Sequence, residues 1–317
     1  MTSTAPVPSP TDDARTDAAI PVAVAPAAAD RWRRPAIEPS RPFGAHVRTR
    51  WWAPIAAIVT LGIAMVGLQI VLVTPTMIIE HLLSERPFDD PALSPLMLLA
   101  TNLSLIATLP LSLLAMRWIG GVPWRRALTV DRPFAWGMLL RRFALFGVIV
   151  LVLTVGSTAL LPDGFSNLAL SSTAVAFLIV TVLTTPLQAA AEEVMFRGAI
   201  MPLVGSWFRS AGAAVVVGLI VSSLLFGASH GATDPYLALY YTMFGVCAAL
   251  MAVISRGLET SIAFHAANNT ALFAITAITL PEGGLVLDRS AGAGGPWVLG
   301  LIALDLAAVG FVWLLER

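Results

Sequence analysis

Residues 53–79 read APIAAIVTLGIAMVGLQIVLVTPTMII, an unbroken apolar run without a charged side chain. As a helix it would extend roughly 40 Å at 1.5 Å per residue, more than the hydrocarbon thickness of about 30 Å that a spanning segment must cross. Seven further runs follow at about 94–116, 143–161, 173–196, 211–230, 236–255, 258–280 and 297–315. Lipid offers no partner to a backbone amide or carbonyl, so such runs can cross only as helices or as a closed barrel, and runs of this length are helical. The expected fold is therefore all-α, a polytopic membrane protein of about eight transmembrane helices. Trp51, Trp52, Trp118, Trp207, Trp297 and Trp313 fall near run ends, where an amphipathic ring favours the membrane interface. Pro75, Pro110 and Pro186 lie inside runs and should kink them rather than end them.

Composition agrees. The 317 residues are 57% hydrophobic and 12% charged, with a mean hydropathy of +0.82, whereas a soluble domain carries about a quarter charged residues. The 19 basic and 19 acidic residues leave no net charge, so nothing points to nucleic acid. A single cysteine, Cys247, excludes an intrachain disulfide and a thiolate metal cage. Residues 1–50, rich in Ala, Pro, Thr and Asp, read as a disordered cytoplasmic tail, and residues 51–317 as one transmembrane domain. All basic residues are Arg, and if the eight runs alternate, 17 of them fall on one side with only Arg86 and Arg289 on the other. Short cytoplasmic loops retain basic residues, so both termini are expected in the cytoplasm and the loops around Asp90 and Glu282 outside.

Few ionisable groups lie within the runs, where a charge costs at least about 2.5 to 3.5 kcal/mol. They are Glu192, Glu193 and Arg197 in the fourth run, His230 at the end of the fifth, His265 beside Asn268 and Asn269 in the seventh, and Asp305 in the eighth. Glu193 and Arg197 are four residues apart, the spacing of a helical ion pair, while Glu192 is rotated by about 100°. Either the three form an interfacial salt-bridge cluster that anchors a helix end, or Glu193 and Arg197 brace the helix so that Glu192 faces a polar cavity as a general base. His265 and Asn269 share a helix face and make a plausible anion-stabilising pair. Taken singly, each His also reads as a packing residue with one hydrogen bond, and Asp305 as a protonated or interhelically bonded carboxyl.

Glu192-Glu193-x-x-x-Arg197, Phe226-x-x-x-His230 and His265-x-x-x-Asn269, in that order on successive apolar segments, resemble the three motifs of the CPBP family. That family comprises the CAAX-prenyl proteases of the second type and the bacterial bacteriocin-processing or abortive-infection (Abi) proteins. The resemblance covers about residues 173–280, helices four to seven. It implies an intramembrane endopeptidase of bacterial plasma membranes, acting on a peptide or membrane-protein substrate among membrane lipids. By motif position, Glu192 and His230 would activate a water, His265 and Asn269 would stabilise the oxyanion, and Glu193, Arg197 and Phe226 would support them. The same Glu192, His230 and His265 could instead ligate zinc, which would supply the activated water. A metal-free glutamate mechanism is favoured because the compact His-Glu-x-x-His zinc helix is missing.

Two readings of another class compete: a proton-coupled carrier with Glu192, His230 and Asp305 as a relay, which should show internal repeats that this sequence lacks, and a non-proteolytic immunity-type scaffold. One tension is visible in advance. Straight alternating spans put His230 roughly 28 Å from the start of the fifth span, at the opposite membrane face from Glu192. A common site requires either that the fourth helix continue past Met201 toward Trp207 or that the fifth be tilted or short.

Overall fold

The computed structural model describes residues 1–2, 35–88, 92–161, 164–166, 168–279 and 285–317. Most of the tail read at 1–50, and the loop positions Asp89, Asp90 and Glu282, lie outside the described residues.

In chain order the elements are β1 (Ala36–Ile37), β2 (Val47–Arg48), α1 (Ala53–Ser84), β3 (Ala92–Leu93), α2 (Pro95–Ile106), α3 (Thr108–Trp118), α4 (Trp136–Leu160), α5 (Ser172–Glu193), a π-helical stretch Val194–Ile200, α6 (Met201–Gly205), α7 (Ala211–Ser229), α8 (Pro235–Ser255), α9 (Glu259–Thr279), β4 (Leu285–Val286) and α10 (Val298–Leu315). Seven segments among the described residues are long and apolar enough to cross a membrane: α1, α2 with α3, α4, the continuous stretch from α5 through α6, α7, α8 and α10. Helix α9 has the length too, but Glu259, His265, Asn268 and Asn269 make it more polar, and it is packed against α4, α5 and α8. The protein is an all-α, multi-pass membrane protein.

Two boundaries differ from the sequence reading in ways that matter. The second run divides at Ala107, between α2 and α3, because Pro110 has no N–H to offer the carbonyl of Ile106 one turn earlier. The fourth run does not end near residue 196 but continues from Ser172 to Gly205. Pro75 and Pro186, by contrast, lie inside intact helices, where neighbouring groups absorb the missing bond.

Helices α5 and α9 pack together at the centre, with α2 on the far side of α5, α4 against α9, and α8 joining α9 to α7 and α10. Side chains such as Leu140, Val148 and Val152 on α4 and Ile63, Ile70 and Val71 on α1 remain exposed, which is the expected state of a surface whose solvent is lipid. Between helices the contacts are close. A Cβ on Gly218 would lie 2.5 Å from the Met201 carbonyl oxygen, so the missing side chain lets α7 approach α6. Asn102 donates to Thr184 Oγ1 at 2.7 Å and Thr185 Oγ1 at 3.2 Å, an interhelical polar bond of the kind that joins membrane helices.

Residues 35–50 correct the reading of the whole N-terminal 50 as a disordered tail. Strands β1 and β2 pair antiparallel, Ala36 with Arg48 and Ile37 with Val47, and Phe43, His46 and Val47 are fully buried. The anchor is Arg48, which donates to the carbonyls of Ser206, Phe208 and Arg209, groups left without helical partners where α6 ends. His46 donates from Nε2 to the Arg126 carbonyl at 2.9 Å and lies against Phe43, 5.2 Å between ring centres. Composition missed this because the hairpin buries its few apolar side chains against the helix ends rather than in a core of its own.

Burial pulls the His46 imidazole down from 6.5 to about 4. Its folded value lies below its undocked value, so the undocked hairpin takes up the proton first; docking is at full strength above about pH 6.5 and weakens as pH falls toward 4. Amide exchange at residues 43–48, corrected for intrinsic rates, should accelerate between pH 7 and pH 5 in the wild type and stay level in His46→Gln. Equal slopes in the two proteins would show that His46 is not the titrating group.

Candidate active site

Helix α5 delivers Glu192 and Glu193 at its last turn and passes directly into the π-helical stretch Val194–Ile200. One-residue-wider turns of this kind are rare and concentrate at functional sites. Every residue from Val194 to Gly205 is buried, and Gly198 lets the wide turn approach the 124–127 turn, since a Cβ there would sit 2.7 Å from the Ala127 carbonyl oxygen.

Glu193 and Arg197 are both fully buried, with Nη1 of Arg197 3.0 Å from Oε1 of Glu193. The four-residue pairing expected from the spacing is therefore present. It is an ion pair by distance, but none of the Arg197 nitrogens makes a well-angled hydrogen bond among the described residues; the guanidinium instead stands over the Phe226 ring, 4.2 Å from its centre, an attraction of about 2 kcal/mol in a desolvated setting. The same Glu193 Oε1 also receives Nδ1 of His265 at 2.9 Å. Nε2 of His265 is 3.5 Å from Oε2 of Glu192, and the Gln188 side chain also meets Glu192. His265 thus hydrogen-bonds Glu193 and faces Glu192, whose Oε2 makes no hydrogen bond among the described residues.

His230 lies one ring away. Its centre is 4.6 Å from that of Phe226, whose opposite neighbours include His265 at 5.8 Å. Nδ1 of His230 meets the Phe226 carbonyl at 2.8 Å. A carbonyl can only accept, so Nδ1 carries the proton and Nε2 of the neutral ring carries a lone pair. Asn269 stands one turn beyond His265 on α9 and accepts at Oδ1 from Asn268 Nδ2 at 3.2 Å.

The structure therefore brings Glu192, Glu193, Arg197, Phe226, His230 and His265 into one connected set, with Asn269 adjacent on α9. Continuation of the fourth helix to Gly205 narrows the depth difference: Glu192 is 13 residues from that end and Phe226 is 15 from the start of α7 at Ala211, so both lie roughly 20 Å along their helices from the same short connection, and the His230 ring, one turn further on, is bonded back to the Phe226 carbonyl. Asp305 is buried elsewhere, beside Tyr240 and Cys247. Sequence reasoning missed Tyr241, stacked on His230 at 4.1 Å, and Phe244, 4.9 Å from His265. Both sit on an apolar helix, where an aromatic carries no signal until its neighbour is known. Among the described residues no group of three His, Cys, Asp or Glu is arranged to hold a metal.

Comparison with known proteins points to the same stretch. Residues 171–271 match the type II CAAX prenyl endopeptidase family, Rce1-like. The match spans all three motifs and bears out the resemblance read from them. The chain is also 25% identical over 236 residues, 70% of its own length and 76% of the other's, to the uncharacterized protein YyaK of Bacillus subtilis (strain 168). No solved structure gives a significant match.

Removing one member of a buried ion pair strands the other, at a cost of about 3–5 kcal/mol. Glu193→Gln and Arg197→Gln should each lower thermal stability in detergent by that order, and the double variant should recover part of the loss because neither charge remains. A Glu193→Gln protein that melts like the wild type would show that the pair carries no such weight.

Proposed function

We propose that the chain is an intramembrane endopeptidase acting on membrane-associated peptides, whether prenylated, leader-type or transmembrane. One observation carries the reading: two adjacent buried carboxylates flank the buried His265 while the Nε2 lone pair of His230, at the end of α7, stands one ring away. Neither a packing role nor a salt-bridge anchor accounts for a second carboxylate, Glu192, kept buried beside an imidazole.

In this reading a water bound between Glu192 and Nε2 of His230 gives its proton to Glu192 as its oxygen attacks the scissile carbonyl carbon. The carbonyl electron pair moves onto oxygen, and the amide of Asn269 and Nε2–H of His265 stabilise the resulting oxyanion. Glu193 steadies His265 from Nδ1. Collapse of the intermediate re-forms the carbonyl and breaks the C–N bond, and the proton held by Glu192 passes to the leaving nitrogen. Gln188 orients the Glu192 carboxylate. The Arg distribution supports an orientation with both termini cytoplasmic.

Glu192→Gln keeps the shape but cannot take the proton; it should abolish cleavage of a model membrane substrate while leaving melting temperature and abundance within error of the wild type. Continued cleavage would remove Glu192 as the base. Activity that survives chelation supports the metal-free chemistry, whereas activity lost to chelator and restored by zinc would replace it. Separately, epitope tags at either terminus should be inaccessible from outside intact cells and become accessible after permeabilisation. Labelling from outside without permeabilisation would invert the proposed orientation.

A further inference from the structure

Arg289 is one of the two arginines that a simple alternating topology puts on the basic-poor side of the membrane, and the structure gives each a partner: Arg86 pairs with Glu80 at 2.9 Å, and Arg289 reaches back to α7 and α8. Its Nη1 donates to the carbonyl of His230 at 2.9 Å. That carbonyl belongs to the capping residue of α7, where helical donors run out and the helix dipole favours a cation. Nε of Arg289 donates to the Tyr241 hydroxyl at 3.1 Å, and Tyr241 in turn stacks on the His230 ring at 4.1 Å, with the planes 19° apart. One guanidinium therefore holds both the backbone of His230 and the aromatic plate that covers one face of its imidazole.

The loop bearing Arg289 is fastened independently of that side chain. The Arg289 carbonyl accepts from the amides of Thr233 and Asp234 at 2.9 and 3.2 Å. The Asp234 carboxylate accepts from the amides of Tyr236, Leu237 and Gly292 at 2.9, 3.0 and 3.0 Å. On the same face of the molecule β4 pairs with β3, Ala92 opposite Val286 and Leu93 opposite Leu285. Removing the guanidinium should thus leave the loop in place and free only what it holds.

We propose that Arg289 is a positioning residue: through the His230 carbonyl and Tyr241 it fixes the imidazole so that Nδ1 stays on the Phe226 carbonyl and the Nε2 lone pair faces the site. The requirement is for a fork. Lysine supplies the charge but a single nitrogen, which cannot serve two acceptors with fixed geometry. The part His230 plays in the reaction rests on the proteolytic reading above; the holding of its ring does not.

The test uses the full-length protein in detergent with nitrogen-15-labelled histidine. The chain has four histidines, and His230→Gln identifies the His230 signals. In the wild type those signals should show one neutral tautomer with the proton on Nδ1. In Arg289→Ala they should move toward an average of the two tautomers, with melting temperature unchanged. Cleavage should lose about tenfold in kcat with KM altered less than about twofold, the pattern of a misplaced catalytic group rather than weakened binding. Arg289→Lys should not restore it; full recovery by Lys would overturn the two-point clamp. Unchanged His230 signals in Arg289→Ala overturn the proposal whatever activity does. Activity loss that follows a lowered melting temperature with those signals intact also overturns it and leaves Arg289 a loop-stabilising residue. Altered signals in a protein whose wild type cleaves no membrane peptide support the clamp and overturn the proteolytic reading instead.

Discussion

Everything in the centre of this protein depends on one oxygen, Oε1 of Glu193, which accepts His265 and faces Arg197 at about the same distance with no access to solvent. A buried carboxylate is expensive unless its charge is balanced and its lone pairs used, and this one meets both conditions only when α5, the π-helical turn and α9 are all in place. The cluster therefore acts as a registration device. It sets the axial position of α9 against α5, and because Arg197 also rests on Phe226, it sets α7 as well.

Phe226 extends that registration to the second imidazole. It presents one face to the guanidinium and has ring contacts with both His230 and His265, so a single apolar side chain spaces two polar ones. The arrangement explains how polar groups on three helices can meet without a continuous polar channel: each hydrogen-bonds to a near neighbour, His230 to the Phe226 carbonyl, His265 to Glu193, Asn269 to Asn268, and aromatic rings fill the space between. Close packing at Gly245, where an added Cβ would lie 3.2 Å from Nη2 of Arg197, closes the remaining side.

The periphery follows a different logic. On one face the hairpin of β1 and β2 caps exhausted helix carbonyls through Arg48, and on the other Arg289 does so at the end of α7. Helices that end in short, buried connections leave acceptors that water cannot reach, and arginine is the side chain whose several donors can satisfy them together. Arg48, one of the arginines that make up the bias between the membrane sides, is thus also structural material. In the sequence Arg48 is unmarked and Arg289 stands out only by its side of the membrane; neither lies in an apolar run or at a motif spacing, and their partners are 158 and 59 residues away.

The sequence by itself determined that this is an all-α membrane protein, where most of its helices begin and end, and that Glu192, Glu193, Arg197, His230 and His265 are the groups to explain. Hydrophobic length and the cost of a charge in lipid are properties of a local segment, so they can be read locally. The four-residue pairing of Glu193 with Arg197 was legible for the same reason. Only the tertiary structure decided that His265 sits between both carboxylates, that a π-helical turn carries the fourth helix on to Gly205 so that Glu192 comes level with Phe226, and that residues 35–50 are ordered. Each of these is set by contacts between segments tens to hundreds of residues apart, and a wide turn or a docked hairpin is stabilised by what it packs against rather than by the residues that form it.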